Sequence, residues 1–194
     1  MNNMGYGAMT NVDASVLEAV LEAVVDRHRR KLSFLEVGVF GGATARGVRD
    51  WCNSRGFEIN YVGVEAGAIC KPEVPFEGAK LVVGDSIVVW KDIHDMFDCA
   101  FIDGDHGGNH VILDTLLYGA KVKVGGMLLF HDTAPEIQHD MREAEGPDHP
   151  WWYNSVLDAH KLMRFPSSNW ELFKSDYEKG SRIGGMTAYR KLAE

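Results

Sequence analysis

The sequence predicts an α/β fold: a doubly wound, mostly parallel sheet of seven strands, with helices on both faces and a C-terminal antiparallel hairpin. Three observations carry this expectation. Short apolar runs recur at 34–37, 61–65, 81–86, 98–103 and 127–130, and each leads into acidic or polar residues. The segments between them are long enough to cross over, as parallel neighbours require. The last two runs, at 170–173 and 186–189, flank a Lys/Gly/Ser-rich turn and read as the hairpin that closes the sheet.

Taken in order, residues 1–12 read as a flexible tail. Ser15-Val16-Leu17-Glu18 has the form of a capping box, and Leu17, Val20, Leu21, Val24 and His28 follow at helical spacing. An amphipathic helix is therefore expected over 13–30, with His28 half-buried on its stripe. Arg27 to Lys31, the one basic cluster, would complement the end of that helix.

The first strand ends in Glu36-Val37-Gly38-Val39-Phe40-Gly41-Gly42-Ala43-Thr44, and a helix is expected over 43–54, stopped near Gly56. A strand, glycine turn and helix let a ligand lie on bare backbone at the strand's carboxyl edge. A Cβ in such a turn would collide with the ligand or forbid the required dihedrals. The spacing, Glu-x-Gly-x-x-x-Gly-x-Thr, differs from the Gly-x-Gly-x-x-Gly of dinucleotide binders.

The second strand, Tyr61-Val62-Gly63-Val64-Glu65, ends in an acid 23 residues after Gly42. Rossmann-like folds place an acid there to accept hydrogen bonds from ribose hydroxyls; a solvated strand-end residue is the structural alternative. Pro72, Pro75 and Gly78 predict a loop over 66–80. A third strand ending in Gly84-Asp85-Ser86 precedes a helix expected over 87–96, with Asp85 or Ser86 as its N-cap. The fourth strand runs into Asp103-Gly104-Asp105-His106, and a helix is expected over 111–122. Gly125-Gly126 would then turn into the fifth strand, which ends in His131-Asp132-Thr133. Helices are expected over 135–144 and 152–163.

The ends of the fourth and fifth strands bring together Asp103, His106, His131 and Asp132, beside the first strand's glycine turn. Two carboxylates with imidazole suit a divalent cation, whereas helix capping is the plainer duty of a strand-end Asp. The net charge of −8 and the lack of a basic patch argue against a nucleic-acid partner. Cys52, Cys70 and Cys99 are odd in number and dispersed, which argues against a disulfide framework and a cysteine zinc site. With no signal-peptide pattern and no apolar run near the ~18 residues of a membrane span, a cytoplasmic location away from membranes is expected.

Five of these stretches, in register, carry a family resemblance: residues 36–44, Gly63-Val64-Glu65, Gly84-Asp85-Ser86, residues 101–106 and residues 125–133. They resemble the class I S-adenosylmethionine-dependent methyltransferases, specifically the small, often metal-dependent O-methyltransferase branch. That branch includes catechol O-methyltransferase-like, macrocin O-methyltransferase-like and cephalosporin-biosynthesis-like proteins. The resemblance covers about residues 30–135, and Gly184 to Lys191 also resembles the family's last strand. It implies one methyltransferase domain over 1–194, with a cofactor-binding core at 31–133 and substrate-side helices and the closing hairpin at 134–194.

The resemblance further implies that Glu36, Gly38 and Gly42 shape the pocket for the methionine part of S-adenosylmethionine, with Phe40 and Thr44 on its wall. Glu65 would bind both ribose hydroxyls, and Asp85 and Ser86 would lie at the adenine. Asp103 would border the cofactor's amino group and ligate a cation together with His131 and Asp132. His106 stands where relatives place a general base. Metal-dependent relatives usually show acid-acid or Asp-Asn at positions 131 and 132, so His131 is a departure. It points to manganese, iron or zinc rather than magnesium, to a base at 131, or to no metal; Asp105 competes as a ligand or as a partner of His106.

The expected function is methyl transfer to the oxygen of a small hydroxylated molecule, with a divalent cation (magnesium, manganese or another) as an optional aid. The alternatives are a metal-dependent oxygenase or hydrolase using His106, His131 and an aspartate, and a non-catalytic cofactor-binding protein. Trp151-Trp152-Tyr153 would wall the acceptor pocket, pack the core or meet a second copy, and apolar residues of the first helix leave room for a homodimer.

Overall fold

The computed structural model of the protein describes residues 9–67, 73–106, 109–133, 155–164, 169–179 and 184–194. One sheet contains β1 (Lys31–Val37), β2 (Glu58–Glu65), β3 (Lys80–Val83), β4 (Phe97–Ile102), β5 (Val122–Phe130), β6 (Trp170–Asp176) and β7 (Met186–Lys191). Their spatial order is β3-β2-β1-β4-β5-β7-β6. The first five strands run parallel, and β7 enters antiparallel between β5 and β6. The expected fold class is borne out, closing hairpin included.

The helices are α1 (Asn11–Val24), α2 (Ala43–Ser54), α3 (Ser86–Val89), α4 (His110–Gly119) and α5 (Ser155–Met163). From Leu32 onward every residue of β1 is buried, because helices cover both faces of the strand. Phe34 packs in one core with Leu17, Val20, Val48 and Trp51 of α1 and α2. Leu35 and Val37 belong to the opposite core, with Tyr118 of α4 and Val156 of α5. β2 and β4 flank β1 on opposite sides, so the strand order reverses at the carboxyl end of β1. Open α/β sheets bind ligands at that crevice.

Several boundaries differ from the expectation. The capping box of α1 is formed by Thr10 and Asp13, not by Ser15 and Glu18, and the helix ends at Val24. The Asp26 carboxylate accepts hydrogen bonds from the backbone N–H groups of His28 (3.0 Å) and Arg29 (2.9 Å). This local turn competes with another helical turn. His28 is consequently exposed rather than on the buried stripe, and Arg27 to Arg30 lie in the turn beyond the helix. α3 is four residues long and passes into a 3-10 turn at Trp90–Asp92. The consecutive β-branched residues Ile87, Val88 and Val89 give it weak helical support.

α4 stops at Gly119, and Val122 already belongs to β5. Gly125 and Gly126 therefore lie inside the strand and not in a turn before it. The pairing passes from Phe97↔Val122 to Cys99↔Met127, so the glycines absorb an irregularity in the ladder. No helix or strand occupies the described part of 66–79. The helix expected over 135–144, the first part of the one expected over 152–163, Trp151-Trp152-Tyr153 and Cys70 lie outside the described residues, as does most of the N-terminal tail. No helix among the described residues is long and apolar enough to cross a membrane.

Candidate active site

The first half of the site is the turn after β1. Gly38 has φ +90°, and a Cβ there would stand 2.1 Å from the carbonyl oxygen of Asp103. Only glycine lets the turn lie this close to the end of β4. Backbone bonds lock the arrangement: Gly38 N–H donates to Val64 C=O (2.9 Å) and Asp103 N–H to Val37 C=O (2.9 Å). Phe40 also has a positive φ, 47°, and its side chain is 61% exposed over the turn. Gly42, in the left-handed conformation, begins α2, whose first turn buries Thr44.

Glu65, at the end of β2, points its carboxylate into this turn. Oε2 accepts from Phe40 N–H (2.7 Å) and Oε1 from Gly67 N–H (2.9 Å). Glu36 lies in the middle of the sheet, 1% exposed, and accepts a hydrogen bond from the Tyr61 hydroxyl. Burial raises its pKa from 4.5 to about 8, against the Tyr61 hydrogen bond and with help from the charges of Asp103 and Glu65. At neutral pH Glu36 is thus predominantly a neutral acid. Asp85 caps α3, its Oδ1 accepting from Ile87 N–H at 3.0 Å. Ser86 is the first residue of that helix, and its carbonyl accepts from the Tyr118 hydroxyl at 2.8 Å.

The second half gathers the ends of β4 and β5. His131 is buried, with Nδ1 3.3 Å from Asp103 Oδ1 and 3.5 Å from Asp132 Oδ1. On the other side of the ring, Nε2 is 3.5 Å from Asp13 Oδ2. His106 lies between the same aspartates, Nε2 3.8 Å from Asp103 Oδ1 and Nδ1 3.8 Å from Asp132 Oδ2. Asp105 instead stands 3.6 Å from His110 Nδ1.

Charge pairing dominates this cluster. Burial works to lower the pKa of His131, yet Asp103, Asp13 and Asp132 outweigh it and push the value from 6.5 up to about 12. His106 is raised above 6.5 against its own burial, chiefly through Asp103 and the charge of Asp132. Burial works to raise Asp103, Asp132 and Asp13, and the imidazoles nevertheless hold all three below the usual 3.8. One atom each from Asp103, His131 and Asp132 lies within 4.8 Å of the others, close enough to share a cation. Two carboxylates and one imidazole fit manganese, iron or zinc better than magnesium. Such a cation would have to displace the Nδ1 proton of His131, since ligands bind deprotonated.

The structure thus brings Asp103, His106, His131 and Asp132 into one cluster, and Glu36, Gly38, Phe40, Gly42, Thr44 and Glu65 around the adjoining turn. Asp85 and Ser86 lie at the end of β3, on the far side of β2 from β1. Asp13 is a member of the cluster that the sequence reading missed. Its signal was a charge three and four residues before Val16 and Leu17, on the stripe that α1 buries.

A glycine turn with an acid at the point where strand order reverses, and an acid–imidazole cluster one strand away, is the class of site at which open α/β enzymes bind nucleoside cofactors. The chain belongs to the methyltransferase-domain family, whose profile matches residues 35–133. No curated protein matches it in sequence. Among solved structures it is similar to the O-methyltransferase TomG from Streptomyces achromogenes in complex with S-adenosylmethionine, with TM-score 0.61, 15% identity, and 91% of this chain and 80% of that one covered. It is also similar to an O-methyltransferase from Bacillus cereus in complex with S-adenosylhomocysteine, with TM-score 0.59, 14% identity, and 94% and 84% covered. A third is MycE of the mycinamycin biosynthetic pathway in complex with magnesium and S-adenosylhomocysteine: TM-score 0.56, 15% identity, 90% of this chain but 49% of that one. The likeness at these identities is one of fold. It is the class I S-adenosylmethionine-dependent methyltransferase fold, shared with the small O-methyltransferases, and the enzyme class expected from the sequence stands.

Proposed function

We propose that the protein transfers the methyl group of S-adenosylmethionine to an oxygen of a small hydroxylated molecule, with a divalent cation at Asp103, His131 and Asp132. The observation that carries this reading is the contact between the two halves of the site. Gly38 lies against the Asp103 backbone, so a ligand seated on the glycine turn ends beside the acid–imidazole cluster. In this reading residues 31–133 are the cofactor-binding core and 134–194 the acceptor side.

Glu65 receives the ribose hydroxyls; each of its oxygens holds one backbone N–H and retains a lone pair. Gly38 and Gly42 admit the methionine portion with Phe40 and Thr44 along its wall, Glu36 lies beneath, and Asp85 and Ser86 face the adenine. When bound, the sulfonium supplies an already activated methyl group, and a divalent cation lowers the pKa of the acceptor hydroxyl. The chain's own task is alignment and proton removal. Alignment of the reacting atoms can supply ~7–11 kcal/mol of a barrier. His106 takes the hydroxyl proton, and the resulting charge is met by Asp103 Oδ1 beside Nε2 and Asp132 Oδ2 beside Nδ1.

Calorimetric titration with S-adenosylhomocysteine tests the cofactor assignment. Wild type is expected to bind, and Glu65→Ala to lose about 2–3 kcal/mol, the scale of hydrogen bonds to a charged group. A folded wild-type sample that gives no heat with either S-adenosylmethionine or its demethylated product overturns the reading. Methyl transfer to a panel of phenols, catechols and sugar hydroxyls then tests the acceptor class.

A further inference from the structure

Asp13 does more than a helix cap requires. A residue in the first turn of a surface helix ordinarily keeps its carboxylate in water, whereas Asp13 is wholly buried. Its Oδ2 accepts from Thr10 N–H (2.9 Å) and from the Thr10 hydroxyl (2.8 Å). Its Oδ1 accepts from Gly185 N–H at 2.8 Å, across 172 residues of sequence. Gly184 has φ +85°, and a Cβ there would stand 2.5 Å from Asp13 Oδ2. Gly184 N–H donates to Asp132 Oδ1 at 3.2 Å. Successive backbone amides before β7 therefore hold one carboxylate on each side of His131.

The ring sits inside this frame. Asp13 faces Nε2 at 3.5 Å, while Asp103 and Asp132 face Nδ1 at 3.3 and 3.5 Å. Nε2 is sealed from solvent and has no hydrogen-bond partner at good geometry, which leaves the Asp13 carboxylate as its charged neighbour. Carboxylates flank both nitrogens, but a cation held by Asp103 and Asp132 would take the Nδ1 side, and the Asp13 carboxylate is then what favours a proton on Nε2.

We propose that Asp13 is a positioning residue: from α1 it keeps Nε2 as the proton-bearing nitrogen of His131, so that Nδ1 is the atom presented to a cation between Asp103 and Asp132. This rests on the cation reading given above. Outer-sphere partners of metal-ligating histidines typically govern affinity by about 10–100-fold.

The test uses the full chain saturated with S-adenosylhomocysteine. Manganese affinity is read from the electron paramagnetic resonance of the free ion, and the histidine ring from 15N NMR. Asp13→Asn keeps the side chain's size and an oxygen for the Gly185 amide, but it can set an NH2 group against Nε2 and favour the opposite tautomer. Thr10→Ala removes the cap hydroxyl without touching His131. We expect Asp13→Asn to weaken manganese binding at least tenfold and to shift the His131 ring nitrogens. Thr10→Ala should lower Tm and leave manganese Kd within twofold.

Unchanged manganese binding and ring shifts in Asp13→Asn overturn the inference and leave the cation reading standing. So does an equal loss in Thr10→Ala, since Asp13 would then act through the cap alone. A wild type that binds S-adenosylhomocysteine but no manganese overturns the cation reading and this inference with it. Should Asp13→Asn fail to fold, wild type with diamagnetic zinc decides: ligation through Nδ1 with the proton on Nε2 supports the proposal, and ligation through Nε2 refutes it.

Discussion

Replacing Glu36 by Gln should make the protein more stable above neutral pH and leave it nearly unchanged in acid. Glu36 is 1% exposed, and its pKa is raised from 4.5 to about 8 by burial. The folded state then binds this proton more tightly than the unfolded chain does. Its contribution is fully present below pH 4.5 and is lost as pH rises towards 8. Each pH unit in that window costs wild type about 1.4 kcal/mol from this group, so about 3 kcal/mol separates pH 5.5 from pH 8. Gln is neutral throughout, has nearly the same volume, and its carbonyl oxygen can accept the Tyr61 hydroxyl hydrogen bond in place of Glu36 Oε2. Asp13, Asp103 and Asp132 are held below 3.8 and His131 is raised to about 12, so these groups keep their charges across the assayed range and add no pH dependence of their own to the difference. Urea unfolding followed by tryptophan fluorescence, to which the buried Trp51 contributes, at half-unit steps between pH 5.5 and 8.5 measures the effect. The two stability curves should diverge steadily with pH. Parallel curves would falsify the claim that Glu36 is held neutral in the fold.

Other perturbations separate the two halves of the site. His106→Ala should reduce kcat by about 10²–10⁴-fold, the range for a lost general base, and leave S-adenosylhomocysteine affinity unchanged; a kcat within threefold of wild type would remove His106 from the reaction. Gly38→Ala must place a Cβ at φ +90° and 2.1 Å from the Asp103 carbonyl oxygen. A destabilisation of about 3 kcal/mol or more is expected by chemical denaturation, from strain and overpacking together, and wild-type stability would show that the turn is not pinned to β4.

How much of this was legible in the sequence follows from which contacts are local. The five parallel strands announced themselves because each is buried on both faces or ends in a charge at the crevice, and both signals lie within a few residues. Gly38, Glu65, Asp103, His131 and Asp132 were found for the same reason: each follows directly on an apolar run. The end of α1 is not legible because the helical spacing continues past Val24 to His28, while Asp26 turns the chain through its own side chain. Gly125-Gly126 read as a turn because nothing nearby shows that Val122 pairs with Phe97, 25 residues earlier. Asp13 was hidden for a stronger version of that reason. Beyond its local cap partner Thr10, it meets Gly185 and His131, which only the closed sheet brings to the start of α1.

In the proposed cation site, Asp13 would also offset the exchange of an acid for His131 that the family resemblance implies. An acid there would put three carboxylates, with Asp103 and Asp132, around one cation. Imidazole alone would remove a negative charge and leave a buried ring with two nitrogens to satisfy. Supplying a carboxylate from α1 restores the charge, but on the far side of the ring, where it acts on the proton rather than on the cation. The cluster then offers a cation two carboxylates and one borderline nitrogen in place of three hard oxygens. The preference this predicts is manganese or zinc over magnesium, and it disappears if His131 is returned to an acid. A His131→Glu variant that gains magnesium binding as it loses its preference for manganese would tie the identity of the cation to this one pair, His131 and Asp13.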